Sequence, residues 1–138
     1  MGRILAIDFG LKRTGIAVTD TLGMIANPLT TVATAGLMHF LQDYISAEDV
    51  DCVVVGEARQ KDNSPSESEV HIRPFLKKFS KAFPGMPIKR VDERFTSKIA
   101  AQAILDSGIS KKNRRDKSLI DKVSAAIILQ TYLDMKKI

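Results

Sequence analysis

Three consecutive β-branched residues, Val53-Val54-Val55, constrain this chain more than anything else in it. A strand with one wet face alternates apolar and polar side chains, whereas a strand that does not alternate must be covered on both faces. Leu37, Phe40, Leu41, Tyr44 and Ile45 follow helical spacing just ahead of it, so a helix over about 37–47 supplies the crossover to a parallel neighbour. The strand over 50–56 is therefore expected at the centre of an α/β domain.

The rest of the chain fits around that strand. Ile4-Leu5-Ala6-Ile7 is a short apolar run that stops at Asp8 and Gly10, and Ile16-Ala17-Val18-Thr19 is a second. The turn between them, Gly10 to Gly15, is too short for a crossover helix and predicts an antiparallel hairpin. A third strand is expected near 25–32 and a fifth over 88–92. Ile72, Phe75, Leu76, Phe79 and Phe83 make the stripe of a second helix, with Pro74 either in its first turn or kinking it. Thr96 or Ser97 can cap a short helix through Asp106, and a last helix runs from about 117 to 136, apolar on most sides. The polar stretch 59–66 reads as a surface loop. The expected architecture is a five-stranded mixed sheet, three antiparallel strands first, with helices on both faces.

At 138 residues a single domain over 1–138 is expected, able to bury roughly two-thirds of its unfolded surface. The lone Cys52 sits among valines and reads as a buried thiol, which suits a reducing compartment. No apolar run reaches the roughly 18 residues that span a bilayer, and Asp8 interrupts the start where a signal peptide needs apolar length, so a cytoplasmic protein with no membrane partner is expected. A net charge of +5 biases the chain toward polyanions.

Four acids stand where chemistry is possible. Asp8 closes a buried strand and is either a site carboxylate or a turn residue. Asp92 and Glu93 follow Val91 at the end of a strand parallel to the first, where Arg94 offers an ordinary ion pair as the alternative. Asp121 shares a helix face with Ala125, Ile128 and Tyr132, so it needs a partner, unless it serves the helix start. Acids from two strand ends and one helix form an oxygen-rich cluster of the kind that holds Mg²⁺ or Mn²⁺. Phosphodiester cleavage by two such ions needs no nucleophilic side chain. His39 and His71 stand alone, which gives zinc chemistry no support.

The segment Ile7-Asp8-Phe9-Gly10-Leu11-Lys12-Arg13-Thr14-Gly15-Ile16-Ala17-Val18-Thr19-Asp20 closely resembles the opening motif of the YqgF family. Val54-Val55-Gly56, Asp92-Glu93-Arg94-Phe95-Thr96-Ser97, and Asp121 with Ala125 to Gln130 agree in the same order over nearly the whole chain. The resemblance implies an RNase H-like fold and a nuclease of precursor 16S ribosomal RNA or of Holliday junctions. It further implies catalytic, metal-holding acids at Asp8, Glu93 and Asp121, with Asp92 in support. Where the family continues past Val55-Gly56 with a hydrophobic residue and proline, this chain has Glu57-Ala58-Arg59. Glu57 thus stands as an alternative acid to Glu93.

Lys111, Lys112, Arg114, Arg115 and Lys117 place five cations just before the helix that carries Asp121. They read either as a grip on phosphates or as a solvated loop, with Lys12, Arg13 and Arg94 as further candidate contacts. The phenylalanines fit core positions, so backbone and shape recognition is favoured over base stacking. Three functions follow: a ribosomal RNA endonuclease, a junction resolvase working as a homodimer rather than a monomer, and an assembly factor that binds nucleic acid without cutting it.

Overall fold

The computed structural model describes residues 2–57, 69–93 and 117–136. β1 (Arg3–Asp8), β2 (Arg13–Thr19) and β3 (Ala26–Ala33) form an antiparallel meander, then α1 (Leu37–Ala47) crosses to β4 (Val50–Glu57). α2 (Glu69–Ala82), β5 (Ile88–Asp92) and α3 (Lys117–Lys136) complete the described elements. The sheet order is β3-β2-β1-β4-β5, with β4 parallel to both β1 and β5. The expected mixed sheet is therefore present. The short helix expected over 96–106 and the loop over 59–66 lie outside the described residues.

The pleat sorts every strand into two faces. Leu5, Ile7, Ile16, Val18, Val53 and Val55 point to one side, where Leu37 and Leu41 of α1 and Ile72, Phe75 and Phe79 of α2 cover them. Ile4, Ala6, Ala17, Cys52, Val54 and Val91 point to the other, under Ala125, Ala126, Ile128, Leu129 and Leu133 of α3. Helices thus cover both faces, which is why Val53, Val54 and Val55 are all fully buried. Each such side chain contributes roughly 1.5–3 kcal/mol on leaving water.

Pro74 lies within α2 beyond its first turn, so the Val70 carbonyl has no helical N–H to accept. Val70 is itself exposed, so that carbonyl lies away from the core. α3 is covered on most of its sides, as expected: from Asp121 to Leu133 every residue is buried or partly buried, and the exposed Ile120 and Met135 stand near its two ends.

Candidate active site

β1, β4 and β5 run parallel, so their C-terminal ends, at Asp8, Glu57 and Asp92, share one edge of the sheet. β2 starts at that same edge, with Gly15 paired to Asp8. The turn between β1 and β2 is held from β3's end: the Thr34 hydroxyl donates to the Gly10 carbonyl at 2.6 Å, and the Thr34 N–H donates to the Lys12 carbonyl at 2.9 Å.

α3 descends onto this edge. A Cβ on Gly15 would collide with the backbone carbonyl of Asp121, so only glycine lets the helix come this close to β2. Asp121 is thereby placed beside Asp8. A second glycine does the same for Glu93: a Cβ on Gly56 would lie 2.7 Å from Glu93 Oε1 and 2.8 Å from Ile128 Cδ1.

Asp8, Glu93, Ser124, Ile127 and Ile128 line a cavity of about 230 Å³. Alternation decides which acids reach it. Asp8 continues the face of Ile4 and Ala6 toward α3, and Glu93 that of Val91. Glu57 and Arg90 continue the opposite face, where Arg90 Nη1 stands 3.9 Å from Glu57 Oε2. Arg90 also donates to Glu69 Oε1 at 2.6 Å, to the Gly56 carbonyl at 2.9 Å and to the Val55 carbonyl at 3.2 Å. The Glu69 carboxylate is buried, and its charge is offset by Arg90 and, at 3.7 Å, by Arg73. Asp92 faces Glu57 across the β4–β5 register.

Burial and crowding of like charge set the electrostatics. Asp8 is pushed up from 3.8 to about 7, first by burial and then by Glu93 and Asp121. Glu93 is also raised, by burial foremost, against the opposing pull of Arg90. Asp121 instead has a cation: Arg13 Nε donates to its Oδ2 at 2.8 Å. Arg13 faces α3 by the same alternation that puts Gly15 beneath it.

Every acid around the cavity offers carboxylate oxygen, the donor that hard Mg²⁺ and Mn²⁺ prefer, and a cation would relieve the repulsion that raises Asp8. Among the described residues, no three His, Cys, Asp or Glu side chains are grouped closely enough to enclose a metal ion. The donor chemistry fits a divalent cation, while the Asp121 carboxylate is engaged by Arg13.

Of the candidate contacts to nucleic acid, Lys12 is exposed on the turn and Arg13 is committed to Asp121. Lys117 begins α3, and Arg94, Lys111, Lys112, Arg114 and Arg115 lie outside the described residues. Arg90 and Glu69 were not among the candidates from sequence. Arg90 stands on the edge strand β5 and reads there as a solvated charge, and no pattern links it to a glutamate 21 residues away.

Among the described residues, no helix is long and apolar enough to cross a membrane. The chain is 61% identical to a Christiangramia forsetii protein over 96% of this chain and 98% of that one, and 58% identical to a Porphyromonas gingivalis protein over 97% of each. Both carry the name "Putative pre-16S rRNA nuclease". Fowlpox virus resolvase, solved with its substrate Holliday junction DNA, matches over 97% of this chain and 98% of that one with a TM-score of 0.61 at 15% identity. Thermus thermophilus RuvC matches over 97% and 96% with a TM-score of 0.57 at 16% identity. At such identities these two structures establish the fold, which is RNase H-like. The model of the family described as RuvX, Holliday junction resolvase, matches residues 2–135, and the chain belongs to that family of nucleases, the YqgF family whose motifs it carries.

Proposed function

We propose that the protein is a cytoplasmic endonuclease that trims precursor 16S ribosomal RNA with Mg²⁺ or Mn²⁺ held by Asp8, Glu93 and Asp121. The observation that carries this reading is the convergence of Asp8 and Glu93 on one cavity at the sheet edge, with Asp121 brought beside them by the Gly15 contact. A bound divalent cation would supply an activated water and stabilise the departing oxygen. The chain's own part is to present three carboxylates from β1, α3 and the end of β5, and to shield the cavity with Ile127 and Ile128. Asp92 would support Glu93 from the neighbouring position, and the cations Lys111, Lys112, Arg114, Arg115 and Lys117 would bind phosphates.

The names of relatives from two organisms favour ribosomal RNA as substrate. The description of the matching family favours a second reading, cleavage of a DNA four-way junction, which needs two active sites and hence a dimer. One panel separates them: purified protein with precursor 16S ribosomal RNA or a four-way junction, with and without Mn²⁺, alongside Asp8→Asn. The ribosomal reading expects Mn²⁺-dependent cleavage of the RNA by the wild type and none by the variant. Equal cleavage by both would remove Asp8 from the site. Binding of RNA without cleavage would make the protein an assembly factor.

A further inference from the structure

The ion pair between Arg13 and Asp121 joins the start of β2 to the first turns of α3, with the Asp121 charge close enough to raise Asp8. Its partners are 42% and 24% exposed, so it competes with water on both sides and is weak. Its two backbones are not weak. The Asp121 peptide rests on Gly15, and the Lys12 carbonyl next to Arg13 accepts from the Thr34 N–H. The guanidinium is thus the movable part of a fixed frame. It is also the one kind of side chain whose planar fork grips carboxylate and phosphate alike.

We propose that Arg13 is an exchangeable counter-ion of Asp121: it keeps this carboxylate engaged in the free protein, and passes to a phosphate oxygen of arriving nucleic acid, releasing Asp121 to the divalent cation. The inference rests on the nuclease reading for the identity of its two ligands. It accounts for an Asp121 carboxylate that stands near Asp8 yet is engaged by a cation at 2.8 Å. It also makes the cation and the phosphate allies, because each takes one half of the pair that the other must leave.

The test is a calorimetric titration of wild type, Arg13→Gln and Lys12→Gln with Mn²⁺ alone. Lys12→Gln removes the same charge from the adjacent exposed residue, so it measures the effect of net charge. Arg13→Gln is expected to bind Mn²⁺ at least fivefold more tightly than wild type, with Lys12→Gln within twofold of wild type. An equal gain in both variants, no gain in Arg13→Gln, or no binding by any of the three overturns the proposal. Arg13→Met serves as a second variant if the glutamine one is poorly folded. No cleavage is measured, so a protein that shows the expected Mn²⁺ pattern but cuts nothing in the panel above would retire the nuclease reading and leave the counter-ion role standing.

Discussion

The backbone carbonyl of Asp121 lies directly over Gly15, with no space for a side chain between them. The obstacle on each side is backbone, one in a paired strand and one in a helix, so neither can turn aside as a rotamer would. Gly15→Ala is therefore expected to lift the start of α3 and cost about 1–3 kcal/mol, the usual range for overpacking. Urea unfolding would measure it. Because Asp121 rides on that turn, cleavage by the folded variant should fall as well.

Asp8 makes stability depend on pH in an unusual direction. Its carboxyl titrates near 3.8 when unfolded and near 7 in the folded, metal-free protein. Between those values the folded state keeps a proton that the unfolded chain has released. Stability therefore falls as pH rises from about 4 to 7 and changes little from this source beyond. The raised Glu93 acts in the same sense. In chelator, Asp8→Asn should gain on the order of 2–4 kcal/mol over wild type at pH 8 and almost nothing at pH 4. Thermal melts at both values check this, and a wild type that is more stable at pH 8 than at pH 5 would contradict it.

Arg90 and Glu69 make a buried pair on the far face of the sheet, where Arg90 also takes the Val55 and Gly56 carbonyls. Arg90→Met would leave the Glu69 carboxylate only the longer and more exposed contact with Arg73 at 3.7 Å, a loss of about 1–3 kcal/mol. Adding Glu69→Leu removes the under-compensated charge and should recover most of it. Chemical denaturation of the two single variants and the double closes the cycle. A double variant no more stable than Arg90→Met would mean that the carbonyl contacts, rather than the ion pair, carry the effect.

Local patterns in the sequence reached far into this fold. The unbroken valines of β4 require helices on both faces, and the spacing of Ala125 and Ile128 puts Asp121 on the apolar face of α3. Arg13 was legible as a cation beside Asp8, but its partner lies 108 residues away, and no local periodicity encodes such a contact. From sequence Gly15 reads as the end of a turn and Gly56 as the end of a strand. What they make room for, the Asp121 peptide and the Glu93 carboxylate, depends on how closely α3 and the end of β5 approach. That Arg90 is paired rather than solvated follows only once α2 is docked beside the edge strand.

The choice between Glu57 and Glu93 shows what a period of two can decide. Val53, Val55 and Glu57 occupy alternate positions, and both valines face α1 and α2, so Glu57 belongs to that side and meets Arg90 there. Cys52, Val54 and Gly56 face α3, and Glu93 reaches this side beside Gly56 to line the cavity with Asp8. Glu93→Gln is accordingly expected to lower kcat by at least 10³-fold, within the range seen when one member of an acting set is lost. Glu57→Gln should stay within about threefold of wild type and lose less than about 1 kcal/mol, since its pair with Arg90 is long and partly exposed. Single-turnover cleavage in Mn²⁺ compares the two without interference from product release. A larger loss in Glu57→Gln than in Glu93→Gln would mean that the end of β4 turns over on binding substrate and presents Glu57 instead.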